Sequence, residues 1–82
     1  MPKPINEILI DGRGLEPPEP LLRVLAALDA AQPGQTVRLL LPREPFPLYP
    51  LLAERGWRHD TVAHADGNYA IHIRRADSGA EN

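Results

Sequence analysis

The sequence predicts an α+β fold, a two-layer α/β sandwich in the order strand-helix-strand-helix-strand-strand with two helices on one face. Three observations predict it. Leu21, Val24, Leu25 and Leu28 recur at helical spacing. Thr36-Val37-Arg38-Leu39-Leu40-Leu41 ends in a nearly continuous apolar run, the mark of a central strand covered at least partly on both faces. Tyr69, Ile71 and Ile73 alternate with Ala70, His72 and Arg74, the period of a half-buried strand. Right-handed crossovers between successive parallel strands place both helices on the same side of the sheet.

The elements follow in order. A short apolar strand runs from Ile5 to Ile10, with Ile8 and Ile10 on one face and Leu9 on the other. Asp11-Gly12-Arg13-Gly14 ends it. Pro17, Pro18 and Pro20 fit only the entry and first turn of a helix, where backbone N–H groups lack partners anyway. That helix spans about Pro18 to Ala31 and stops at Gln32-Pro33-Gly34. Strand Thr36–Leu41 follows. A second helix begins near Leu48, which puts Pro50 in its first turn, although Tyr49 precedes a proline and is biased away from helical angles. Gly56 suits the helix C-terminus. Trp57 to Ala65 is the third strand, Ala65-Asp66-Gly67-Asn68 a hairpin turn, and the fourth strand reaches Arg75. Residues 76–82 have little to bury and are expected to be disordered.

Composition bounds the function. A chain of 82 residues holds one small domain with one core. Cysteine is absent, which removes disulfides, thiolate catalysis, persulfide carriage and cysteine-based metal sites. No run approaches the ~20 apolar residues of a membrane span. The N-terminus lacks the apolar core of a signal peptide, so the expected location is cytoplasmic. Net charge is −2, which disfavours nucleic acid as a partner. Among nine cations only Lys3 is not arginine. Arginine suits carboxylates and phosphates, but GC-rich codon usage produces the same bias.

The stretch Asp11-Gly12-Arg13-Gly14-Leu15-Glu16-Pro17-Pro18-Glu19-Pro20 closely resembles the signature of the TusA/SirA family of small sulfur-carrier proteins. In that family Arg-Gly-Leu is followed by a variable residue and then Cys-Pro-Glu-Pro. Pro17 stands at the position of the carrier cysteine. Arg43-Glu44-Pro45-Phe46-Pro47-Leu48-Tyr49, together with Glu54-Arg55-Gly56-Trp57, further resembles a Cys-less sister group, a domain of unknown function. That group occurs alone or fused to hemerythrin-like domains, in settings of respiratory or nitrogen-oxide metabolism. The resemblance covers about Ile8 to Arg75 and defines a domain over 5–75. It implies a bacterial source and a four-stranded mixed sheet. The apolar second strand and the alternating fourth strand then take the centre, giving the order 1-2-4-3.

Three constellations are candidates for function. Glu16 and Glu19 flank Pro17 where a helix N-terminus favours negative charge, either as an acidic docking surface or simply as helix-end residues. If the first two strands are parallel neighbours, the Arg13 loop and the Pro42–Pro50 loop leave the same carboxyl edge of the sheet, where ligands of open α/β sheets often bind. Arg13, Glu16, Glu19, Arg43, Glu44, Phe46 and Tyr49 form this candidate edge, and Arg13 is expected within about 6 Å of Glu44, the reach of direct charge coupling. The edge is read either as a self-satisfied Arg–Glu network or as a receiver for a small anion or an acidic side chain. His59, His64 and His72, with Asp60 or Asp66, are weighed as a metal site and read as solvated strand residues.

No catalytic order, phosphate loop or cofactor motif is present, and no cofactor is expected. The expected function is a non-enzymatic small binding or regulatory module with a protein partner. The alternatives are an accessory protein that binds a small anion or metal at the carboxyl edge, and an RNA-binding module.

Overall fold

The computed structural model describes residues 7–76. Its elements are β1 (Glu7–Asp11), α1 (Glu19–Ala30), β2 (Thr36–Leu41), α2 (Leu48–Glu54), β3 (Trp57–Ala63) and β4 (Tyr69–Arg75). The four strands form one mixed sheet in the order β1-β2-β4-β3. β1 pairs parallel with β2, and β4 runs antiparallel between β2 and β3. The expected α+β class and strand order are therefore those of the molecule. Ile5, expected to open the first strand, and residues 77–82 lie outside the described residues. Ala76 belongs to the fold rather than to a tail, because its N–H donates to the Gly56 carbonyl at 2.7 Å.

Register divides the side chains between two faces. Ile8, Val37 and Ile73 are in line, and so are Ile10, Leu39 and Ile71. These rows meet Val24 and Leu28 of α1 and Leu48 and Leu52 of α2 in a single core. Trp57, 5% exposed, closes it at the start of β3. Burying each large apolar side chain contributes roughly 1.5–3 kcal/mol, so these side chains are the main source of stability in so short a chain. The second face bears no helix. It carries Leu9, Arg38, His72 and Asp60 in one cross-strand row. Two ion pairs lie on it, Arg38 with Glu7 at 3.1 Å and Arg74 with Asp60.

Two strand ends differ from the sequence reading, since β1 runs past Ile10 to Asp11 and β3 stops short of Ala65. β3 ends at Ala63, because the His64 N–H already turns to the Asn68 carbonyl and closes the hairpin. α2 begins at Leu48, as expected, and includes Tyr49 despite the following proline. Packing of Leu48 and Leu52 against the sheet overrides a local bias of that size.

Candidate functional site

The carboxyl edge is built from the ends of β1 and β2 and the β3–β4 turn. Parallel pairing continues one residue past β1, where the Gly12 N–H donates to the Leu40 carbonyl at 2.8 Å. A side chain at position 12 has no room. A Cβ there would lie 2.6 Å from Leu41 Cδ2, 3.1 Å from the Leu40 carbonyl oxygen and 3.2 Å from Pro20 Cβ. Gly12 thus lets the Arg13 loop press onto the end of β2 and brings the start of α1 down with it.

Arg13 is already occupied. Its Nε donates to Asp11 Oδ1 at 2.8 Å and its Nη2 to Asp11 Oδ2 at 2.9 Å, a two-pronged fork. The Arg13 backbone N–H adds a third bond to Asp11 Oδ1 at 3.1 Å. The guanidinium bonds, then the backbone bond, hold the Asp11 carboxyl down at about 2. Arg13 is pushed up in turn, chiefly by Asp11, with a lesser pull from Asp66 in the β3–β4 turn.

The second loop leads into α2 through successive turns. Phe46 N–H reaches the Glu44 carbonyl, Leu48 N–H the Pro45 carbonyl and Tyr49 N–H the Phe46 carbonyl. Pro45 and Pro47 fix two further backbone angles. The Tyr49 hydroxyl donates to Glu44 Oε2 at 2.9 Å and lies 2.6 Å from Thr61 Oγ1. A phenol has one proton and a carboxylate only accepts. The chain therefore runs from the Thr61 hydroxyl to Tyr49 to Glu44. Desolvation is the main reason that the Tyr49 phenol is pushed up, so it stays neutral. Its ring lies flat on His59 and meets Phe46 edge-on, with centroids 6.0 Å apart.

The expected Arg–Glu network is not formed. No hydrogen bond or ion pair among the described residues joins Arg13 to Glu44. Asp11, two residues away, takes Arg13, and Tyr49 takes Glu44. Glu19 pairs with Arg23 one helical turn on, at 3.0 Å. Glu16 and Arg43 stay exposed and outside these pairs. Phe46 is 65% exposed, the most exposed large apolar side chain described.

Three contributors escaped the sequence reading. Asp11 could have been found from its spacing, since an aspartate two residues ahead commonly accepts a turn N–H. His59 and Thr61 share the helix-side face of β3 with Trp57 in strict alternation, which placed them under α2. The three histidines separate. His59 faces α2, His72 lies on the opposite face beside Asp60, and His64 sits at the turn. Among the described residues no three His, Cys, Asp or Glu side chains are grouped to hold a metal. At the carrier position stands Pro17, joined to Pro18 by a cis peptide bond.

The model of the family described as "Uncharacterized conserved protein (DUF2249)" matches residues 9–75. The chain belongs to that family. The match takes in both loops of the carboxyl edge and the whole sheet from Leu9 onward. Among solved structures, a SirA-like protein from Desulfitobacterium hafniense superimposes with a TM-score of 0.73 at 22% identity, covering 80% of this chain and 93% of that one. At that identity the likeness establishes a shared SirA-like fold. No curated protein matches the chain.

Proposed function

We propose that this member of the family is a non-enzymatic binding module whose contact surface is the carboxyl edge, centred on Phe46. One observation carries the reading. Every fixed element of the second loop converges on presenting an aromatic ring that stays mostly in solvent. Prolines restrict the loop, Glu44 ties it to Tyr49, Tyr49 rests on His59, and Phe46 stands outward on that base. A rigid exposed aromatic loses little entropy on binding and is the usual anchor of a protein interface. The alternative of an anion held by Arg13 is weakened by Asp11, which already fills the guanidinium fork.

The test is capture of a partner from the native cell with immobilised wild-type protein beside Phe46→Ser. The substitution removes an exposed ring, so the fold should persist, checked by circular dichroism. The expected result is a partner held by wild type and weakened at least roughly thirtyfold by the variant, the size of a hot-spot loss. A partner held equally well by both would refute the placement.

A further inference from the structure

The fold gathers arginines that the sequence keeps apart. Antiparallel pairing sets Arg58 opposite Arg74 and Trp57 opposite Arg75. Arg55, the C-cap of α2, precedes Gly56, whose carbonyl holds Ala76. Four of the eight arginines therefore belong to one corner, where α2 ends, β3 begins and β4 ends, with Arg58 and Arg74 on the open face of the sheet and Arg75 on the helix side. This corner is at the end of the sheet opposite Phe46. Among the described residues the carboxylates of the same segments are Glu54 and Asp60, fewer than the four arginines, in a chain whose net charge is −2.

The arrangement is not self-satisfied. Like charges directly opposite on neighbouring strands repel. Arg74 is answered by Asp60, and Arg75 lies over the Trp57 ring at 4.4 Å. Arg55 and Arg58 are exposed, and neither pairs with a carboxylate among the described residues. An incoming carboxylate would relieve the Arg58–Arg74 repulsion and meet planar donors suited to it.

We propose that this corner is a second docking surface, for an acidic peptide segment of a partner protein, with Arg55 and Arg58 as its charge contacts. It is independent of the Phe46 edge. Two observations favour a peptide over nucleic acid. Trp57 is buried beneath Arg75, so it offers no open ring for base stacking. The positive region spans only a corner, surrounded by a chain that is acidic as a whole, which suits a few carboxylates better than a long polyanion.

The only tryptophan in the chain is the reporter. Titration of the protein with an oligoglutamate peptide at ~20 mM salt should give a saturable change in Trp57 fluorescence. At ~200 mM salt the affinity should fall roughly tenfold or more, as the screening length shrinks below the size of the site. An Arg55→Gln/Arg58→Gln variant should lose the response, and Arg43→Gln at the far edge should keep it. Both alter exposed side chains, and circular dichroism confirms the fold. No saturable change in the wild type, or an unaltered one in the double variant, would overturn the proposal. So would tighter binding of a single-stranded oligonucleotide of equal charge, which would assign the corner to nucleic acid.

Discussion

Tyr49 and His59 lie face to face, with ring centroids 3.8 Å apart and planes 4° from parallel. One ring belongs to α2 and the other to β3, so the contact fastens the second helix to an edge strand. The Tyr49 hydroxyl fastens the preceding loop to the same point. The two attachments are separable. Tyr49→Phe keeps the stack and removes the hydroxyl, and because Glu44 and Thr61 are partly exposed and can turn to water, the loss should be about 1 kcal/mol. Tyr49→Ala removes the ring as well and should cost about 3 kcal/mol. Urea unfolding of the two variants measures both, and a Phe variant as stable as wild type would show that the hydroxyl chain contributes nothing.

Gly12 and Gly14 lie two residues apart, and glycine is needed at each for a different reason. At Gly12 the obstacle is space, since one close neighbour is backbone and cannot rotate away. Gly12→Ala should therefore push the Arg13 loop off β2 and cost about 1–3 kcal/mol. Gly14 has open surroundings but a φ of +89°. Gly14→Ala meets only backbone strain and should cost about 1–2 kcal/mol. Amide exchange at Gly12 separates the two, because only the first variant should free the N–H that now donates to Leu40.

Elements were legible in the sequence where one periodicity ran unopposed. Tyr69, Ile71 and Ile73 could face only one way, and the Leu39–Leu41 run demanded a central strand. The same register argument correctly placed the two loops on one edge. What each charged group chose there was not legible, because it depended on distances of a few ångströms between candidates of equal chemistry. Arg13 had Asp11, Glu16 and Glu44 as possible partners, and the tight turn at Gly12–Gly14 decided for Asp11. Glu44 was taken by a phenol whose position follows from how α2 packs on His59, a tertiary fact with no local signal. The arginine corner escaped for a related reason. Arg55 and Arg58 stand far from Arg74 and Arg75 in the chain, and only the β3–β4 register makes them neighbours.

The Asp11–Arg13 fork makes a pH prediction of definite sign. The folded-state value of about 2 lies below the ordinary 3.8. A carboxylate depressed in this way adds stability that is complete above the unfolded value and is lost as pH falls from about 3.8 toward 2. Both partners are about half exposed, so the contribution is small and screened by salt. In a carbon-13 NMR titration the Asp11 carboxyl should titrate near 2 in wild type and move back toward the ordinary range in Arg13→Gln. An Asp11 midpoint unchanged by that substitution would dissociate the two groups.

The sulfur-carrier chemistry suggested by the loop around Pro17 should be absent. Transfer from a cysteine desulfurase requires a thiolate on the acceptor to attack the outer sulfur of the enzyme persulfide, with the enzyme thiolate as leaving group. The acceptor must lose a proton and keep a sulfur–sulfur bond. This chain has no cysteine, and the thioether of Met1 carries no S–H to ionise. Pro17, at the carrier position, offers no side-chain nucleophile and no backbone N–H. After incubation with desulfurase and free cysteine, intact-mass spectrometry should show no gain of ~32 Da, the mass of one sulfur, whereas a thiol-bearing carrier in the same vessel should show it. A desulfurase-dependent adduct on this protein would sink the claim and, with it, the reading of the carboxyl edge as a binding surface rather than a site of chemistry.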